Sequence, residues 1–127
     1  MTQVILYDNK TRTYSQVIIP QKDVPYEFMC ELLNCEMIEL VSLTNDIDIF
    51  VDENGLLKEF TDINVLQDLK TGFQHQMTGK MLFVTVDDED GSTIGLSDEQ
   101  VKYIIDNVVI KTIPAHLFLW TKIKRGD

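Results

Sequence analysis

Two short acidic runs hold the side chains best placed to do chemistry. "FVDENGLL", residues 50–57, carries Asp52, Glu53, Asn54 and Gly55, and "TVDDEDGS", residues 85–92, carries Asp87, Asp88, Glu89, Asp90 and Gly91. Carboxylates followed closely by glycine suit a calcium loop, in which oxygen ligands wrap a hard cation and the glycine makes the sharp turn. An EF-hand loop fixes glycine at position 6, ligands at 1, 3 and 5, and a bidentate acid at 12. In that frame Gly55 makes Phe50 the first residue and Thr61 the last, while Gly91 makes them Val86 and Ser97. Both runs lack the first ligand and the closing acid. They read as hairpin turns in which glycine supplies a positive φ and Asp or Asn bonds the local backbone.

The other reactive side chains form no recognisable centre. Cys30 and Cys35 are the two cysteines, and His75 and His116 lie far from them in sequence, with no CxxC, HxxxH or HExxH spacing. No zinc site is expected; Cys30 reads as a small apolar residue on a helix and Cys35 as sitting near that helix's end. "GFQHQMTGKM" puts six residues between Gly72 and Gly79 and Met81 where a phosphate-binding loop needs Ser or Thr, which excludes a Walker A motif. No G-x-S-x-G is present. The reading is a non-enzymatic protein with no catalytic residue, cofactor or metal site.

Charge is the strongest compositional feature. The 127 residues include 21 acidic and 11 basic ones, for a net charge of −10. Residues 27–99 hold 17 of the acids against Lys58, Lys70 and Lys80 alone, whereas both flanking segments are slightly basic. Such a field repels nucleic acid, which proteins hold largely through Lys and Arg on phosphates. Direct nucleic-acid binding is therefore not expected. Apolar residues at 44% suit a single compact domain over 1–127. No apolar run approaches the roughly 18 residues of a membrane span, so a cytoplasmic protein is expected.

The elements that must position these residues follow from periodicity. "VILY" and "QVII" flank a polar turn as two strands. Asp23 is the expected cap of a helix with Pro25 in its first turn and an apolar stripe of Phe28, Met29, Leu32 and Leu33. "MIELVSL" reads as a strand, and "IDIFV" with "GLLKEF" as a hairpin around the first acidic tip. A short helix is expected from about Asp62 to Lys70, burying Ile63, Leu66 and Leu69, and then a loop, "TGFQHQMTG". "KMLFVTV" is the clearest strand. Ser97 and Gln100 form a capping-box pattern for a helix striped by Val101, Ile104, Ile105 and Val108, before a last strand around Leu117, Phe118 and Trp120. The sum is an α+β fold, a mainly antiparallel sheet built from hairpins with two to three helices.

The run from Leu33 to Ile104 resembles the domain-of-unknown-function family numbered 3846. The resemblance rests on "MIELVSL" with Glu39, "IFVDENGLLKEF" with Asp52, Glu53 and Gly55, Asn64 shortly after, "TGKMLFVTVDDEDG", and the closing "GLSDEQVKYI". The sequence departs from that pattern at "NCEM", where glycines are expected before the Ile–Glu pair. The resemblance implies a phage or mobile-element setting in a bacterial host cell and carries no established activity.

Two functional classes follow. In the first, the acidic surface imitates nucleic acid and binds the basic surface of a host defence or nucleic-acid-processing enzyme, with Asp52, Glu53, Asp87, Asp88, Glu89 and Asp90 as the contact residues. In the second, Glu39 and Asn64, which the family pattern singles out, line a pocket for a small, nucleotide-like ligand. The sequence defines neither the partner nor the oligomeric state.

Overall fold

The computed structural model describes residues 2–44, 46–54 and 62–116. Along the chain these form β1 (Thr2–Asp8), β2 (Thr13–Ile19), α1 (Tyr26–Leu33), β3 (Ile38–Thr44), β4 (Ile47–Asp52) and β5 (Asp62–Asp68). They continue as β6 (Gln74–Met77), β7 (Met81–Val86), β8 (Thr93–Ile94), α2 (Asp98–Asn107) and β9 (Val108–Pro114). One sheet has the order β2-β1-β7-β4-β3 with β8 paired to β7, and a second has the order β6-β5-β9. All strand pairs are antiparallel. With two helices among the described residues, the chain is α+β, as its patterning predicts.

β7 organises the core because it is apolar on both faces. Successive side chains of a strand point to opposite sides. Leu82 and Val84 pack with Val4, Ile19, Val24, Met29 and Leu33, which places α1 on one face of the first sheet. Met81 and Phe83 pack with Ile5, Tyr7, Ile47, Ile49 and Val51, and with Leu66, Met77, Ile104 and Val108 from the second sheet and α2. The first sheet is thus the middle of three layers. The α1 stripe falls as expected, with Met29 and Leu33 buried and Phe28 and Leu32 packed at its margin.

Several expectations are corrected. The expected helix at Asp62–Lys70 is β5, whose inward positions are Asn64, Leu66 and Asp68. Ile63, Leu66 and Leu69, three apart, imitate a helical stripe, while two inward polar residues conceal the strand's alternation; Leu69 lies just past β5 and is exposed rather than buried. The expected loop at 71–79 contains β6. Pro25, with extended ψ, takes the N-cap of α1 without a side-chain bond, and Asp23 instead forms an isolated bridge with Ile94. In α2, Ser97 and Gln100 make the full capping box and Ile104 is completely buried. Ile105, however, is 65% exposed, and Val108 already belongs to β9, so the helix is narrower on its buried side than the stripe suggests. The "GLLKEF" half of the expected hairpin, with Gly55, and the strand expected around Leu117 to Trp120 lie outside the described residues.

Candidate functional site

The two acidic runs sit at opposite ends of the first sheet. β4 and β7 pair with Asp48 opposite Val84 and Phe50 opposite Leu82, a register that extends to Asp52 level with Lys80. Asp87 follows Val86 at the other end of β7, seven residues along from Lys80. At about 3.3 Å per residue the two levels are roughly 23 Å apart. Asp52 and Glu53 therefore do not share a turn, or one end of the sheet, with Asp87 to Asp90.

The ends differ in charge. The end with Asp52, Glu53 and Lys80 also receives the β1–β2 turn, because Tyr7 pairs with Met81, and that turn follows Asp8 and carries Lys10 and Arg12, with Asp62 bonded to Asn9 at 2.9 Å. Glu53 is held by its backbone N–H donating to Met37 O at 3.0 Å, and Asp52 accepts from Asn54 N at 3.0 Å. The end with Asp87 to Asp90 gathers more acids. Asp48 Oδ2 accepts from Val86 N at 3.1 Å, and an open cleft of about 600 Å³ is lined by Asp46, Ser97, Glu99, Gln100 and Tyr103. Lys22 is a cation at this end and helps to lower the Asp90 carboxyl.

The β7–β8 turn is braced by bonds within itself. Asp87 Oδ1 accepts from Glu89 N at 2.8 Å, and Asp90 Oδ1 accepts from Ser92 N at 2.9 Å and Ser92 Oγ at 2.6 Å. Gly91 has φ +74, the left-handed conformation a side chain disfavours. The hydrogen bonds from the Ser92 side chain and backbone, in that order, hold the Asp90 carboxyl below its usual range. Asp88, Glu89 and Asp90 are all exposed. No group of three or more His, Cys, Asp or Glu able to hold a metal occurs among the described residues.

Glu39 and Asn64 come from different sheets. Glu39 is exposed on β3, on the strand face that also carries Val41 and Leu43, while Asn64 is fully buried on β5. The surroundings of Asn64 fix its orientation. The carbonyl of Gly79 can only accept, so the Asn64 amide nitrogen donates to it at 2.7 Å, which leaves Asn64 Oδ1 to accept from Thr112 Oγ1 at 2.8 Å. The Thr112 hydroxyl has then used its proton, so Tyr7, 2.7 Å away, donates to it. This buried chain ties β1 of one sheet to β9 and β5 of the other.

A second polar cluster lies at the far end of β5. Asp68 is fully buried and accepts from Lys70 N at 2.9 Å, Thr71 N at 3.2 Å and the Tyr103 hydroxyl. Burial pushes its carboxyl up, but the Tyr103 hydroxyl and the two backbone donors outweigh burial and leave it below the usual range. Burial, followed by the bond to Asp68, pushes the Tyr103 hydroxyl up to about 12. Of these residues only Asn64 is among the candidates read from the sequence; Tyr7, Thr112, Asp68 and Tyr103 are not. "QDLKTG" does carry a signal for the second cluster, because Asp followed by a polar turn and glycine is an Asx-turn pattern.

The sequence model of one family, described as Domain of unknown function (DUF3846), matches residues 1–109, and the chain belongs to that family. No curated protein and no solved structure matches the chain. No helix among the described residues is long and apolar enough to cross a membrane.

Proposed function

We propose that this protein is a non-enzymatic inhibitor, of phage or mobile-element setting, whose acidic end occupies the basic nucleic-acid channel of a host defence or nucleic-acid-processing enzyme. The observation that carries the reading is the turn Asp87 to Asp90, braced by its own Asx bonds at the end of the sheet that also carries Asp46, Asp48 and Glu99. The Asp87 and Asp90 carboxylates, already held by the turn, lose less side-chain freedom on binding than unrestrained ones. Like charges gathered at one end raise the local field and steer a cationic partner. The Asp52–Glu53 end, with Lys10, Arg12 and Lys80 near it, has a secondary part. A ligand site at Glu39 and Asn64 would need Asn64 to face the ligand, yet its amide and its carbonyl are both committed within the core.

The test is a DNA-cleavage assay on a panel of restriction and defence nucleases, titrated with the protein. Inhibition of a panel member is expected to be relieved by added duplex DNA and by salt. It is expected to weaken about tenfold or more in the D87N/D88N/E89Q/D90N variant. Unchanged cleavage across the panel, or equal potency of the variant, counts against the reading.

A further inference from the structure

We propose that Cys30 and Cys35 form a reversible intramolecular disulfide across the C-terminus of α1, making this helix end a redox-modification site. The backbone at this helix end turns left-handed and is tightly capped. Asn34 is left-handed at φ 53, Asn34 N donates to Glu31 O at 3.2 Å, and Cys35 N donates to Cys30 O at 3.0 Å. Those two bonds define a Schellman cap, a geometry that brings the side chains flanking the outer bond together, usually as an apolar contact. Here both flanking residues are thiols. A hydrogen bond from the backbone of one cysteine to that of the other, at 3.0 Å, limits their Cα separation to at most roughly 7 Å. Disulfides span about 4.4–6.8 Å between Cα atoms.

The Cys30 side chain lies at this same helix end, and Cys35 packs at the margin of the core beside α1. Cys30 Sγ donates to Glu36 O at 3.6 Å, and the Tyr26 hydroxyl donates to the same carbonyl at 3.3 Å. Tyr26 is also in hydrogen-bond contact with the Cys30 side chain. Both cysteines line an open cleft of about 600 Å³ with Glu31, Asn34, Glu36 and Asn54, so a small oxidant can reach them.

The chemistry balances with a low-molecular-weight disulfide as oxidant. One cysteine thiolate attacks a sulfur of that disulfide, whose S–S bond breaks and releases one thiolate. The second cysteine then attacks the resulting mixed disulfide and expels the other. The protein loses two electrons and two protons, and the small disulfide gains them as two thiols. Because the second attack is intramolecular, its effective concentration is millimolar or higher.

Incubation of the reduced protein with oxidised glutathione, with about 0.1 mM reduced glutathione present, tests the site by intact mass and thiol alkylation. The expected product is a monomer lighter by two hydrogens, without alkylatable thiols, exceeding the glutathione adduct at least about tenfold. It is expected to revert with reductant. Cys30→Ser and Cys35→Ser should each stop at a single glutathione adduct. A wild-type protein that carries one or two glutathionyl groups, or that retains both thiols, overturns the proposal.

Discussion

The Tyr103 hydroxyl lies 3.0 and 2.8 Å from the two carboxylate oxygens of Asp68 and fastens α2 to the end of β5. The Lys70 ammonium, 5.8 Å from the centre of the Tyr103 ring, adds a cation–π contact. Because the Asp68 carboxyl is lowered in the folded state, its stabilisation is fully present above the unfolded value near 4 and is lost as pH falls through the lower folded value. Tyr103→Phe is expected to cost about 1.5–3 kcal/mol at neutral pH, a hydrogen bond to a charged group. It should also flatten the acid limb of stability against pH. Urea midpoints measured from pH 7 down to pH 3 check both, and an unchanged limb would show that Asp68 does not depend on Tyr103.

The Tyr7–Thr112–Asn64 chain predicts an order of damage. Tyr7→Phe removes the terminal donor and should cost about 1 kcal/mol, because Thr112 still donates to Asn64. Asn64→Ala should cost about 2–4 kcal/mol, since it orphans the Gly79 carbonyl and the Thr112 hydroxyl and leaves a cavity. Equal midpoints for the two variants in chemical denaturation would contradict the direction assigned to the chain.

Neighbouring residues on α2 should separate cleanly. Ile104→Ala is expected to cost about 2–5 kcal/mol, as Ile104 is fully buried between the sheets. Ile105→Ala should stay within about 0.5 kcal/mol, because Ile105 faces solvent. Thermal melts of both variants decide it.

These sites mark how far the sequence is legible. The β1–β2 hairpin, β7, the α1 stripe and the α2 capping box all follow from local signals, namely alternation, helical spacing and Ser97 with Gln100. β5 is hidden because two of its inward residues, Asn64 and Asp68, are polar and owe their burial to partners distant in sequence, Thr112 and Tyr103. Periodicity reads hydrophobicity and cannot register a satisfied buried amide or carboxylate. The acidic residues themselves are plain in the sequence. Their division between opposite ends of the sheet depends on the β4–β7 register, a pairing of residues far apart along the chain.

Millimolar calcium should leave the melting temperature nearly unchanged. Carboxylate oxygens of Asp87 and Asp90 accept from the turn's own backbone, and neither acidic run has the closing bidentate acid. A rise of many degrees in a calcium titration would identify a site these turns do not account for.

If the Asp87–Asp90 end makes the contact, its charge governs how fast the two proteins associate. The nuclease inhibited in the cleavage panel is immobilised, and the rate constants for wild type, for D87N/D88N/E89Q/D90N and for K10Q/K80Q are measured from low to physiological salt. Wild-type association is expected to slow as salt rises, the acidic quadruple variant to associate about tenfold more slowly at low salt, and neutralising Lys10 and Lys80 at the opposite end not to slow it. A quadruple variant that folds and associates as fast as wild type at low salt contradicts a contact through this end.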